Sequence, residues 1–332
     1  MKIADVPGDC RTIAVTGVTG FIGSAVTRKL LGAGWRVRAL VRPSSVRKVP
    51  HGSSVELIVG TLEDLASLHR LVEGVHAVVH CAGLIRGVAA AQFDDVNVHG
   101  VKRLARVAVS QEPTPFFLLL SSLAAREPDL SPYARSKREG ERVLATMSGK
   151  MPWSALRPPV VYGPGDRALR PLFQCMRWGV APILGPQDAR FSLLYVDDLA
   201  TAVLQCLEAG NCESTVFELH DGQDGGYAWN DVVETVAALL DKRVLRLPIA
   251  GLALEWMASL SAGLGRLTEH APIFTPDKVR ELRHPNWVCE NSALHQATGW
   301  VPRISFTDGM RRTLCLRSEE RARKQNQHKL LN

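Results

Sequence analysis

Short apolar runs alternate with longer amphipathic stretches through the first half of this chain. RTIAVTG is the first strand-like run, and FIGSAVTRKLLGAG after it repeats apolar residues at helical spacing. WRVRALVR, AVVHCAG, PFFLLLSS and WSALRPPVVYG give four more strand-like runs. LEDLASLHRLVEG, DDVNVHGVKRLARVAVSQ and the polar LSPYARSKREGERV supply helices between them. Strands alternating with helices of this length predict βαβ units and a parallel sheet. The strands are almost continuously apolar, as expected where helices cover both faces.

After Gly165 the rhythm breaks. RFSLLYVDDLATAVLQCLEAG still reads as strand then helix, STVFELH as a strand and DVVETVAALL as a helix. A loop-rich end follows through HPNWVCENSALHQATGWVPRIS. The pattern predicts an α/β fold, a doubly wound parallel sheet with a smaller, mostly helical C-terminal domain. The expected boundaries are 10–165 for the sheet domain, with 191–220 returning to it. The smaller domain takes 166–190 and 221–315, and 316–332 is a basic tail.

One apolar stretch stands apart. PIAGLALEWMASLSAGLG, residues 248–265, is interrupted by Glu255 and several glycines. It falls short of the roughly 20 residues a spanning helix needs. Its first reading is a buried helix or pocket wall; its second is peripheral contact with a membrane.

Composition narrows the class. The chain has 332 residues, 46% hydrophobic and 22% charged, which excludes a disordered or fibrous protein. The net charge of +7 comes from scattered arginines and the tail, so a solvated basic surface is expected rather than nucleic-acid binding. Seven cysteines (Cys10, Cys81, Cys175, Cys206, Cys212, Cys289 and Cys315) form no CxxC pair, and MKIADVPGDCR lacks an apolar leader. A cytoplasmic setting, with membrane association as the variant, is the expectation. The ten histidines are scattered singly, so no metal is expected.

The first strand runs straight into TGVTGFIG, with Gly17, Gly20 and Gly23 at GxxGxxG spacing. Such a turn lets backbone approach a phosphate, and the helix behind it offers free N–H groups to an anion. A dinucleotide is therefore expected on Gly17, Thr19, Gly20, Phe21, Ile22 and Gly23. The second strand ends at Arg42, with Ser44, Arg47 and Lys48 beyond, where an acidic residue would hold a ribose 2′-hydroxyl. A cation suits a 2′-phosphate, so NADP(H) is favoured, with NAD(H) as the alternative. Tyr133 and Lys137 sit four residues apart and share a helix face. That spacing occurs on many ordinary wet helix faces.

TGVTGFIG, LSS, YARSK, LRPPVVYGPGD and YVDDLA occur in this order. With them the chain resembles the extended short-chain dehydrogenase/reductases, the group of nucleotide-sugar epimerases, dihydroflavonol reductases and 3β-hydroxysteroid dehydrogenases. The resemblance covers about residues 10 to 310. It implies a Rossmann domain and a C-terminal substrate domain. It implies Ser122, Tyr133 and Lys137 as catalytic residues: Tyr133 exchanges a proton with the substrate oxygen, Ser122 holds that oxygen, and Lys137 bonds the nicotinamide ribose. A nearby ammonium and an oxidised nicotinamide are expected to lower the phenol's pKa from its ordinary 10. Ala82, Gly83, Asn97, Pro158 and Val161 carry over as cofactor contacts. The family's Asp-Leu pair near the adenine is Thr61-Leu62 here. Asp197 and Asp198 are expected to cap a helix. Relatives often dimerise through a four-helix contact that includes the tyrosine helix, so a homodimer is a candidate assembly.

Two enzymatic readings follow. The first is an NADP(H)-dependent ketone reductase or alcohol dehydrogenase acting on a bulky apolar, lipid- or sterol-like molecule. The second is a nucleotide-sugar epimerase or dehydratase holding NAD tightly, with Arg167, Arg170, Arg177 and Arg190 available for a diphosphate. Leu123, where a dehydratase usually has an acid, counts against the dehydratase. An inactive binding or assembly subunit is the third reading, because fold alone proves no catalysis.

Overall fold

A computed structural model describes residues 11–48, 55–209, 212, 214–268 and 274–314 of the chain. Cys10, Cys315 and the basic tail 316–332 lie outside the described residues. The first half runs β1 (Thr12–Thr16), α1 (Phe21–Gly32), β2 (Arg36–Val41), β3 (Val55–Val59), α2 (Leu65–Val72) and β4 (Ala77–His80). Next come α3 (Ala90–Asp94), a π-helical turn at Asp95–His99, α4 (Gly100–Val109), β5 (Phe116–Leu120), α5 (Pro132–Met147) and β6 (Trp153–Arg157).

These strands and β11 (Thr215–Glu218) form one seven-stranded parallel sheet, in the order β11-β6-β5-β4-β1-β2-β3. The order reverses between β1 and β4, the switch point at which open α/β sheets leave a crevice beyond their strand ends. Two apolar layers cover the two faces. One gathers Val15, Val26, Leu30, Trp35 and Leu118 with Leu199 and Trp300, and the other Leu68, Leu71, Leu104, Phe117 and Leu144. β4, β5 and β6 are buried at every position, which explains their unbroken apolar sequences.

The remainder is built from smaller pieces: β7 (Val160–Tyr162), α6 (Arg170–Arg177), β8 (Val180–Ile183), β9 (Arg190–Phe191), β10 (Leu193–Tyr195) and α7 (Val196–Ala209). After β11 come β12 (Tyr227–Ala228), α8 (Trp229–Leu240), β13 (Leu245–Pro248), α9 (Gly251–Thr268), α10 (Pro276–Arg283), β14 (Asn286–Trp287) and α11 (Ser292–Thr298). β7 pairs with β10, β8 with β13, and β9 lies between β12 and β14. Tyr162, Phe173, Met176, Trp229, Val236 and Phe306 form their common core.

Three sequence expectations change. WSALRPPVVYG is two strands in two sheets, because Pro158 and Pro159 offer no N–H to a ladder. The stretch 248–265 is not a buried helix: within α9, of the side chains up to residue 261, only Leu254 and Ala258 are buried. Asp198 caps no helix. Its Oδ2 accepts the Arg303 and Ile304 N–H groups at 3.1 and 2.9 Å, pinning the C-terminal segment to the first turn of α7.

Candidate active site

Gly17 closes β1 at φ +76°, a conformation that glycine adopts freely. A Cβ there would lie 2.6 Å from the Ala82 nitrogen, so the ends of β1 and β4 approach as backbone against backbone. A Cβ on Gly23 would meet the Gly17 oxygen at 2.1 Å. Gly20 takes the N-cap position of α1, no side chain caps that end, and its first turn carries no acid. The result is a cradle of the shape and sign a pyrophosphate needs, so these residues fit a dinucleotide. Thr19 is exposed beside it, and Phe21 and Ile22 pack with Cys81 and Val161 against the core.

The other predicted cofactor positions fall at neighbouring strand ends. Arg42 is exposed just past β2. Thr61 Oγ1 accepts the Glu63 N–H at 3.3 Å, while Leu62 turns into the core. Pro158 is buried, and its carbonyl accepts the Leu123 N–H at 2.9 Å. Asn97, in the π turn, is 3% exposed. Its amide group bonds both the N–H and the carbonyl of Leu84, at 2.9 and 3.0 Å, and donates to Ser136 Oγ at 2.9 Å. One side chain thereby ties the loop after Gly83 to α5.

α5 begins on a strong cap. The Ser131 hydroxyl accepts the Ala134 N–H at 3.0 Å and Pro132 follows, as favoured at a helix start. Tyr133 therefore sits in the first turn, where the helix dipole favours a developing anion. Its ring meets Phe93 edge-on at 6.3 Å. Ser122 caps the short helix 123–126 and its hydroxyl acts to lower the pKa of the Tyr133 phenol, whereas Ser121 donates to the buried Glu141 carboxylate. Lys137, one turn on, donates to the Leu120 carbonyl at 3.0 Å. A Cβ on Gly83 would lie 3.0 Å from its Nζ, so any larger residue there would crowd the ammonium.

Burial pushes Tyr133 up to about 12, a hydrogen bond from Ser122 opposes the rise, and the Glu281 carboxylate adds to it. Burial brings Lys137 down to about 8, against the opposing effect of Cys81 and Glu141. The site thus holds a protonated phenol beside a readily titrated ammonium.

Several groups carry no signal in the motifs. His80 ends β4, fully buried, with Nδ1 2.8 Å from the Thr16 hydroxyl. Burial and then the charge of Lys137 push it down to about 3. Its folded pKa lies below the ordinary 6.5, so between those values the unfolded chain binds more protons. Stability must fall as pH drops through that window. Urea unfolding at pH 7 and pH 5 is expected to differ by about 2 kcal/mol from this group, a difference lost in His80→Asn.

Glu141 receives Arg157 through two bonds, at 2.9 and 2.7 Å, and Arg157 reaches Glu218 at 3.7 Å. Glu218 also faces Arg126, which donates to the Val288 and Asn286 carbonyls at 2.8 Å each. This chain of charges joins the tyrosine helix to β14. One turn below Lys137, Glu141 was visible by spacing, and Arg157 as a charge ending an apolar strand. Glu281 was not visible: its carboxylate accepts the Ser131 hydroxyl at 2.5 Å across 150 positions of sequence.

The chain is similar to several known proteins. A ceramide reductase of Caulobacter vibrioides is 34% identical over 91% of this chain and 93% of its own. A 2-alkyl-3-oxoalkanoate reductase of Stenotrophomonas maltophilia is 27% identical over 90% and 97%. The dTDP-glucose 4,6-dehydratase of Streptomyces venezuelae, solved with NAD, superimposes with a TM-score of 0.71 over 94% of this chain and 98% of its own, at 20% identity. The model of the NAD dependent epimerase/dehydratase family matches residues 13–217. The chain belongs to that family and is an NAD(P)-dependent enzyme of the short-chain dehydrogenase/reductase type.

Proposed function

We propose that this protein reduces a ketone to a secondary alcohol on a bulky, long-chain lipid-like substrate, with NADPH. The observation that carries the reading is the Ser122–Tyr133–Lys137 set, with Tyr133 in the first turn of α5, Lys137 one turn on, and burial raising the phenol's pKa. A phenol in that state is a proton donor, the role that reduction requires. A dinucleotide held on Gly17, Gly20 and Gly23 would supply the hydride for the carbonyl carbon. The Ser122 hydroxyl holds the carbonyl oxygen, Tyr133 transfers its proton to that oxygen, and the Lys137 ammonium stabilises the phenolate left behind. Both electrons of the new C–H bond come with the hydride, and the O–H proton comes from Tyr133.

The names of the ceramide and 2-alkyl-3-oxoalkanoate reductases support an alkyl-chain substrate. In this reading residues 10–165 and 191–220 hold the cofactor, while 166–190 and 221–315 cover the substrate. The epimerase alternative is weakened on one point. Arg190, a candidate for the sugar diphosphate, spends its guanidinium on the Gly225 and Gly226 carbonyls at 2.6 and 2.8 Å.

Absorbance at the reduced-nicotinamide band tests both substrate and cofactor. Net NADPH consumption is expected with long-chain β-keto compounds, and none with UDP- or dTDP-sugars. Arg42→Ala should raise the KM for NADPH about tenfold and leave NADH unchanged, as loss of one charge-assisted bond to the 2′-phosphate requires. Sugar interconversion without net cofactor loss would replace this proposal with an epimerase. An Arg42→Ala enzyme with unaltered NADPH kinetics would remove the NADP(H) preference.

A further inference from the structure

We infer that α9 and the ribbon edge leading into it seat this protein on an anionic lipid bilayer. Leu252, Trp256 and Leu260 recur every fourth residue of α9 and are 73%, 72% and 65% exposed. That spacing lines them along one stripe of the helix, with Met257 beside it. α9 is held from its other side, where Leu254 and Ala258 pack with Val279 of α10. The chain enters α9 from β13, whose Leu245 and Leu247 are also exposed. β13 pairs with β8, and just before β8 Trp178 is 81% exposed, so two separate segments present tryptophan to solvent.

Cations border these apolar groups. Arg177 and Trp178 are neighbours in sequence, Lys242 Nζ donates to the Arg177 carbonyl at 3.4 Å, and the Leu245 N–H donates to the Gly179 carbonyl at 2.8 Å. Arg243 follows Lys242 just before β13, whereas Arg246 alternates with Leu245 and Leu247 along the strand and points to its other face. Arg177, Lys242 and Arg243 outnumber Asp241 and Glu255, since Glu234 is paired with Arg246 at 2.6 Å. Tryptophan and leucine framed by lysine and arginine is the composition of a surface that enters the headgroup layer. No helix among the described residues is long and apolar enough to cross a membrane, so the contact is peripheral. A second copy of the chain would cover the stripe but set one basic border against another. An anionic lipid face complements that border instead.

The inference is independent of the reductase reading, because vesicle binding is measured without turnover. The full chain is mixed with phosphatidylcholine vesicles containing or lacking 30% phosphatidylglycerol, and binding is followed by flotation and tryptophan emission. Binding to the anionic vesicles is expected, with a blue shift in emission and at least tenfold weakening in 0.5 M salt or without phosphatidylglycerol. Trp256→Ser and Trp178→Ser should each weaken binding at least tenfold, and Lys242→Glu with Arg243→Glu should do the same. All should retain the thermal shift given by NADPH, which shows that they are folded. Equal binding by these folded variants overturns the inference, as does no binding to either vesicle. So does a concentration-dependent dimer that Trp256→Ser dissolves.

Discussion

Tyr133→Phe is expected to cut ketone reduction by about 10²–10⁴-fold while leaving NADPH binding intact. The substitution removes one oxygen and nothing else. The ring keeps its edge contact with Phe93, and Ser131 still caps the helix. Lys137 keeps its bond to the Leu120 carbonyl, so the lysine stays in place. What disappears is the proton proposed for the substrate oxygen. Single-turnover oxidation of bound NADPH separates this loss from product release, and the NADPH thermal shift reports binding. A variant within twofold of the parent rate would exclude Tyr133 as the proton donor.

Glu141→Gln should cost about 3 kcal/mol of folding stability. Glu141 is 3% exposed and takes both bonds from a guanidinium that is itself 8% exposed. Without the carboxylate, Arg157 keeps only Glu218, at 3.7 Å, against its buried charge. Breaking such a pair costs more than the pair is worth, because the surviving ion has no water to turn to. Urea midpoints, with an unchanged slope, give the number. Glu141→Gln with Arg157→Met should recover part of the loss, since no buried ion remains. The single variant also withdraws a charge that holds Lys137 protonated, so the lysine should titrate below about 8. A loss under 1 kcal/mol would show that water reaches Arg157.

Much of the nucleotide end was legible because its logic is local. A strand, a glycine turn and a helix start are set by neighbours in sequence, and Tyr133 and Lys137 share a face by helical spacing alone. β3 escaped because it is a five-residue edge strand whose pattern is mostly open to solvent, with Glu56 in it. The prolines that split β6 from β7 were in plain view, but the apolar run around them read as one strand. The contacts of α5 with α10 and β14 span about 150 positions, and nothing in a hydropathy pattern joins Ser131 to Glu281 or Arg126 to Val288. The tyrosine's raised pKa was hidden for a related reason: it depends on how water is excluded, not on which charges lie near in sequence.

The turn at Asp95–His99 carries one residue more than an α-helical path over the same rise. Phe93 before it and Val101, Leu104 and Ala105 after it are all buried, yet they are counted in two helical frames. Removing a single residue there would restore one frame and swing Asn97 by about 100° away from Leu84 and Ser136. A length difference of one between this chain and a relative at that point therefore means lost or gained wiring of the loop at Gly83, not a longer or shorter loop. Alignments that slide a gap along this helix to suit hydropathy will hide that change.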